Sequence, residues 1–67
     1  MTLLETTSNI EAITTGIVEV EDMNTIIISY EVVDDEDEEH LEYELDKVLQ
    51  CGFAATRRNR EVIEVIV

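Results

Sequence analysis

Six consecutive acids, Asp34-Asp35-Glu36-Asp37-Glu38-Glu39, stand in the middle of the chain. Like charges at this density repel, so the segment belongs to the surface and cannot enter a packed core. One local structure makes use of it. At a helix N-terminus the first backbone N–H groups lack partners, and the aligned peptide dipoles place partial positive charge there. Asp34 or Asp35 is therefore expected as the N-cap, with the following acids in the first turn. Downstream, Leu41, Leu45, Val48 and Leu49 recur at i, i+4, i+7 and i+8, which predicts one buried stripe. Gly52 is placed to end this helix in the left-handed conformation, with Phe53 folding back over the last turn.

The segments on either side read as β structure. "GIVEVEDMNTIIISYEVV", from Gly16 to Val33, predicts a hairpin with Asp22-Met23-Asn24 as its loop. Asn24 would take the left-handed conformation that closes a three-residue loop. This register sets Val20 opposite Ile26, Val18 opposite Ile28 and Gly16 opposite Tyr30, whose ring would cover the gap above the glycine. One face then carries Val18, Val20, Ile26, Ile28, Tyr30 and Val32. "FAATRRNREVIEVIV" alternates again. A loop at Arg58-Asn59-Arg60 would pair Ala55 with Ile63, Phe53 with Val65 and Arg57 with Glu61; the alternative is one longer strand. Val62, Ile63, Val65, Ile66 and Val67 offer apolar side chains to both faces, which suits a central strand or a self-association edge. The expected fold class is α+β: a small antiparallel sheet, β-β-α-β or β-β-α-β-β, with one amphipathic acidic helix on one face.

At 67 residues the chain is expected to form a single domain, residues 1–67, with residues 1–9 a flexible N-terminal segment. A chain of this size buries only about 60% of the surface that its unfolded form exposes. Cys51 is the only cysteine, so no internal disulfide is available. That usage suits a reducing compartment. The start "MTLLETTSN" lacks the basic and apolar regions of a signal peptide, and no apolar run reaches the ~18 residues of a membrane span. The expectation is a cytoplasmic protein without membrane contact.

The sequence argues against most catalytic chemistry. His40 and Cys51 lie about three helical turns apart, too far for a nucleophile–base pair. Cys51 is expected to be a small packed residue at the helix end. Glu36, His40 and Glu44 share a helix face at i, i+4, i+8, but an acidic helix produces that spacing by chance, and structural zinc sites use four ligands rich in Cys and His. "DDEDEE" lacks the glycine and ligand periodicity of a calcium loop. Gly16 and Gly52 are the only glycines, so no phosphate-cradling loop is present. The reading is a non-enzymatic chain without cofactor or metal. Direct nucleic-acid binding is excluded by charge: the arginines of "TRRNR" stand against 17 carboxylates.

With four basic residues, the formal net charge is −13, well beyond the magnitude of roughly 2–8 usual for a small domain. Ten of the 17 acids fall between residues 31 and 46. Capping accounts for the first turn but not for Glu39, Glu42, Glu44 and Asp46. With the leucine stripe inward, Tyr43 points away from the core, beside Glu36, Glu39, His40, Asp46, Lys47 and Gln50. Tyrosine is enriched at interface hot spots. A helix rises about 1.5 Å per residue and a duplex carries one phosphate charge per roughly 1.7 Å, so a carboxylate-rich helix approximates a line of phosphates. The expected partner is a protein with a basic surface, such as a nucleic-acid enzyme whose groove is blocked by mimicry. The bland alternative is that the acids only confer solubility.

A hairpin, an acidic helix and then "GFAATR" (Gly52, Phe53, Thr56 and Arg57) resembles the family of small T7-like phage proteins that inhibit host bacterial RNA polymerase. The likeness covers about the second half of the chain, and the apolar end "EVIEVIV" departs from the family pattern. The resemblance implies an inhibitor in the host cytoplasm, with Arg57 and Arg58 joining Glu36, Glu39, Tyr43 and Asp46 as partner contacts. A reading from another class is a structural or regulatory subunit, a homodimer built through Ile63, Val65 and Val67.

Overall fold

The computed structural model describes residues 2–67 and shows an α+β fold. Helix α1 (Leu3–Ile13) precedes strands β1 (Ile17–Asp22) and β2 (Thr25–Ser29). Helix α2 (Asp35–Gln50) follows, and then β3 (Ala54–Arg57) and β4 (Val62–Ile66). The strands form one antiparallel sheet in the order β1-β2-β4-β3. Ile26 and Ile28 from β2, Ile63 and Val65 from β4, Leu41 and Val48 from α2 and Ile10 from α1 are all fully buried and make one core. Each such side chain stabilises the fold by about 1.5–3 kcal/mol relative to exposure.

The first hairpin has the expected register, with Val18 opposite Ile28 and Val20 opposite Ile26. Val18, Tyr30 and Val32 pack against the core, whereas Val20 remains 48% exposed at the sheet edge. A Cβ built on Gly16 would lie 2.6 Å from Ile28 Cγ2 and 2.9 Å from Tyr30 Cε2, so the tyrosine ring does cover the glycine. The loop differs from expectation. Asp22 pairs with Thr25 after a bulge, and Asn24 is not left-handed. The Asn24 amide instead donates to Asp22 Oδ1 at 2.8 Å, a side-chain closure that removes the need for positive φ.

α2 is capped as the acidic run requires. Asp34 is the N-cap, its side chain accepts from the Asp37 amide, and Asp37 reciprocates in a capping box. At the other end Gly52 has φ +94, its amide donates to the Leu49 carbonyl, and the Phe53 amide donates to that of Val48. This is a Schellman closure. Cys51 is the C-cap and is exposed, not packed as expected. It lies beyond the buried stripe of α2.

Two further expectations are corrected, and one pair of alternatives is decided for the central strand. Residues 3–9 form most of α1, where a flexible segment was expected; Met1 lies outside the described residues. The second hairpin is shifted by two: Ala55 faces Val65 and Arg57 faces Ile63, so the loop runs from residue 58 to 61. The Arg58 amide donates to the Val62 carbonyl, and Asn59 Oδ1 accepts from the Glu61 amide, which stabilises the longer loop. A slip of two preserves which face each side chain takes, so the hydrophobic pattern does not distinguish the registers. Finally, β4 is central, paired to β2 and β3, and Ile63 and Val65 are fully buried. They hold the monomer core together and offer no side-chain surface to a second copy. Val67 is 42% exposed, but its amide donates to the Asn24 carbonyl and ties the chain end to the first hairpin.

Gly16→Ala is expected to lower stability by about 1–3 kcal/mol through overpacking against Ile28 and Tyr30. Met23→Ala, at a side chain 86% exposed, is expected to stay within about 0.5 kcal/mol. Urea unfolding of the two variants checks this contrast.

Candidate functional site

α2 carries the candidate site, and one buried carboxylate fixes its rotation. The residues fully or nearly hidden on this helix are Leu41, Glu44 and Val48, while Leu45 is half-buried and Leu49 is 45% exposed. The helix is therefore turned from the expected leucine stripe so that Glu44 enters the interior. Its Oε1 accepts from the Thr15 amide at 2.5 Å and the Thr15 hydroxyl at 2.6 Å, with the Tyr30 hydroxyl at 3.5 Å. Lys47 Nζ lies 3.0 Å from Oε2, an ionic contact outside hydrogen-bond geometry. His40 Nε2 is 2.9 Å from the Thr15 hydroxyl and 3.5 Å from Glu44.

Burial works to raise the Glu44 carboxyl, but the Thr15 hydroxyl and amide and the Lys47 ammonium outweigh it and hold the group below its ordinary value. The anion is thus the folded form. Because the folded value is depressed, its stabilisation is full above the ordinary carboxylate range and is lost as pH falls through the folded value. Tyr30 moves the other way: burial first, then the adjacent Glu44 charge, push its hydroxyl well above the usual range. It stays a neutral donor.

With Glu44 inward, the opposite face of α2 is set. Glu36, Glu39, Tyr43, Asp46 and Gln50 are all exposed there, Tyr43 by 60%. The Lys47 ammonium stands 5.0 Å from the Tyr43 ring centroid while also contacting Glu44, so one cation links the buried anion to the outward ring. Among the described residues, Glu36 and Glu39 have no hydrogen-bond or ion-pair partner, and Asp46 only accepts from Gln50 Nε2.

The arginines lie elsewhere. Arg57 bonds Glu42 and lies 3.6 Å from Glu38, and Arg60 reaches Glu38 at 3.2 Å. Both come from the β3–β4 end of the sheet and brace one flank of α2. Arg58 lies with β1 and β4, bonding Glu21 through two nitrogens and Glu64 through Nε. Its hydrogen bonds hold the Glu21 carboxyl below its ordinary value, and Glu21 and then Glu64 raise the guanidinium further. Both arginines are engaged by acids of this chain, Arg57 by Glu42 and Glu38 on α2 and Arg58 by Glu21 and Glu64 on the sheet. Among the described residues, Glu21, Glu38, Glu42, Glu44 and Glu64 hold every lysine and arginine.

Among the described residues, no group of three or more His, Cys, Asp or Glu is arranged to hold a metal. Glu44 Oε1 is occupied by the Thr15 amide and hydroxyl, with His40 Nε2 3.5 Å away. Nor is any described helix long and apolar enough to cross a membrane. The residue that sequence reading missed is Glu44 in its structural role; its partner Thr15 lies 29 residues away, and no local pattern marks the pair. No protein-family model, curated protein or solved structure matches this chain.

Glu44→Ala is expected to cost about 2–4 kcal/mol, since it leaves the Thr15 amide and hydroxyl unpaired and opens a cavity. Glu39→Ala, five residues earlier on the outer face, is expected to change stability by less than about 0.5 kcal/mol. Parallel urea titrations measure both.

Proposed function

We propose that this chain is a non-enzymatic, protein-binding inhibitor that presents the outer face of α2 to a basic groove built for nucleic acid. The single observation that carries the reading is where the uncompensated charge lies. The chain's lysine and arginines are held by five glutamates, so Glu36, Glu39 and Asp46 face solvent as free anions around an exposed Tyr43. Glu36 is a first-turn acid that the helix dipole favours, but neither capping nor core packing requires charge at Glu39 or Asp46. A rigid helix with spaced carboxylates offers a basic groove some of what a phosphate backbone offers, and it arrives already ordered. Tyr43 supplies area that is desolvated on contact, the part of an interface that most often carries affinity. Charge complementarity supplies rate and selectivity.

The resemblance to small phage inhibitors of host RNA polymerase points to the same class, with the host cytoplasm as its place of action. Arg57 and Arg60 are assigned to bracing α2 and Arg58 to the sheet, and the contact surface is Glu36, Glu39, Tyr43 and Asp46. The competing subunit reading loses its main support, because Ile63 and Val65 are enclosed in the monomer.

The test is affinity capture from a bacterial lysate with wild type and a Glu39→Lys/Tyr43→Ala/Asp46→Lys variant whose fold is verified by circular dichroism. Wild type is expected to retain a nucleic-acid-binding protein that is released by salt and by added duplex DNA. The variant is expected to bind it at least about 100-fold more weakly. Identical capture by both proteins, or a partner that duplex DNA does not displace, contradicts the proposal.

A further inference from the structure

A second surface feature lies apart from the outer face of α2. Where β1 begins, β2 ends and β4 begins, the sheet end and α2 enclose an open cleft of about 460 Å3. Thr15, Gly16, Ile17, Ser29, Tyr30, Glu31, His40 and Glu61 line it, and only some of these matter for what it can hold. Its size falls within the roughly 300–1,000 Å3 range of small-ligand sites.

Two carboxylates and one imidazole, that of His40, are the titratable groups lining the cleft beside Tyr30. Glu31 and Glu61 both line it, and neither carboxylate has an ion-pair partner among the described residues. Arg60, next in sequence to Glu61, reaches away to Glu38. Behind the wall lies the fully buried Glu44 carboxylate, whose neighbours Thr15, Tyr30 and His40 are themselves lining residues. Ser29 adds a hydroxyl with no partner of its own among the described residues, and Tyr30 and Ile17 add apolar surface. Gly16 keeps the Tyr30 ring in place, because its missing side chain is the space the ring fills.

We infer that this cleft is a binding site for a guanidinium group, the side chain of an arginine presented by another molecule. An anion is repelled by Glu31 and Glu61. A purely apolar ligand would desolvate both carboxylates without compensation. A cation meets the carboxylates of Glu31 and Glu61, with the Tyr30 ring and Ser29 elsewhere in the lining. Guanidinium fits better than ammonium because it is planar, weakly hydrated, able to stack on an aromatic ring and able to bond carboxylates through paired N–H groups. The site does not depend on the α2 face having a partner; it rests on a different part of the fold.

The experiment is an amide NMR titration of the intact chain with N-acetyl-arginine methylamide, its neutral isostere N-acetyl-citrulline methylamide and the lysine analogue. The arginine probe is expected to give saturable shifts at Gly16, Ile17, Ser29, Tyr30 and Glu31. Citrulline is expected to bind at least about tenfold more weakly, and lysine more weakly than arginine. Glu31→Gln/Glu61→Gln is expected to abolish the response. It should fold normally, since neither side chain holds a bond in the structure. The outer-face variant used above should retain the response, which keeps the two proposals separable. Equal shifts with citrulline, shifts confined to residues 35–47, or no saturation each overturn the assignment.

Discussion

The contact between Glu44 and Thr15 fixes the geometry on which everything else depends. It joins the α1–β1 junction to the middle of α2, and it is made by the least expected residue on the buried stripe. A carboxylate without solvent is unfavourable unless donors surround it. Here an amide, a hydroxyl and an ammonium do so. Such an anion does not slide along the helix register as a leucine can. Its donors have fixed positions, so α2 has one rotation. Tyr43, Glu39 and Asp46 face outward because Glu44 faces inward.

Several of the remaining acids have one of two physical tasks. Asp34 and Asp37 satisfy the orphan amides at the start of α2. Glu21, Glu38, Glu42 and Glu64 tie the arginine-rich β3–β4 loop and its flanks to α2 and to the sheet. Exposed ion pairs of this kind contribute little each, about 0–1 kcal/mol, so they orient more than they stabilise. Glu36 and Glu39 have neither task, and Asp46 meets only Gln50. A chain of this net charge accepts self-repulsion that a neutral surface would avoid, and at these residues, as at Glu31 and Glu61, no cation of the described chain offsets it.

Much of this was readable from the sequence because it is local. The Val18–Ile28 and Val20–Ile26 pairs follow from alternation and loop length, the Asp34 cap from the acidic run, the Gly52 closure from a glycine ahead of Phe53, and the Tyr30 cover from register parity. What was not readable is non-local or masked by composition. α1 is rich in threonine, a poor helix former. The hydroxyls of Thr6, Thr7 and Thr14 bond back to carbonyls of the preceding turn, and the helix is held by burial of Thr6 and Ile10. A signal did exist: Thr2-Leu3-Leu4-Glu5 matches a capping box, and the Glu5 amide does donate to Thr2. The slip of the second hairpin is invisible because both registers keep the same inward residues. The inward turn of Glu44 cannot be seen in any helical wheel, since hydrophobic periodicity assigns a glutamate to the solvent side.

The central claim is that an ionised, buried Glu44 pins α2 through Thr15. Side-chain carboxyl NMR across an acid titration tests it most directly. The account predicts a Glu44 midpoint below its ordinary value of 4.5, with the Thr15 amide proton following the same curve. A Glu44 midpoint at or above that value, or a Thr15 amide that does not respond to it, would contradict the account and leave the rotation of α2 without its cause.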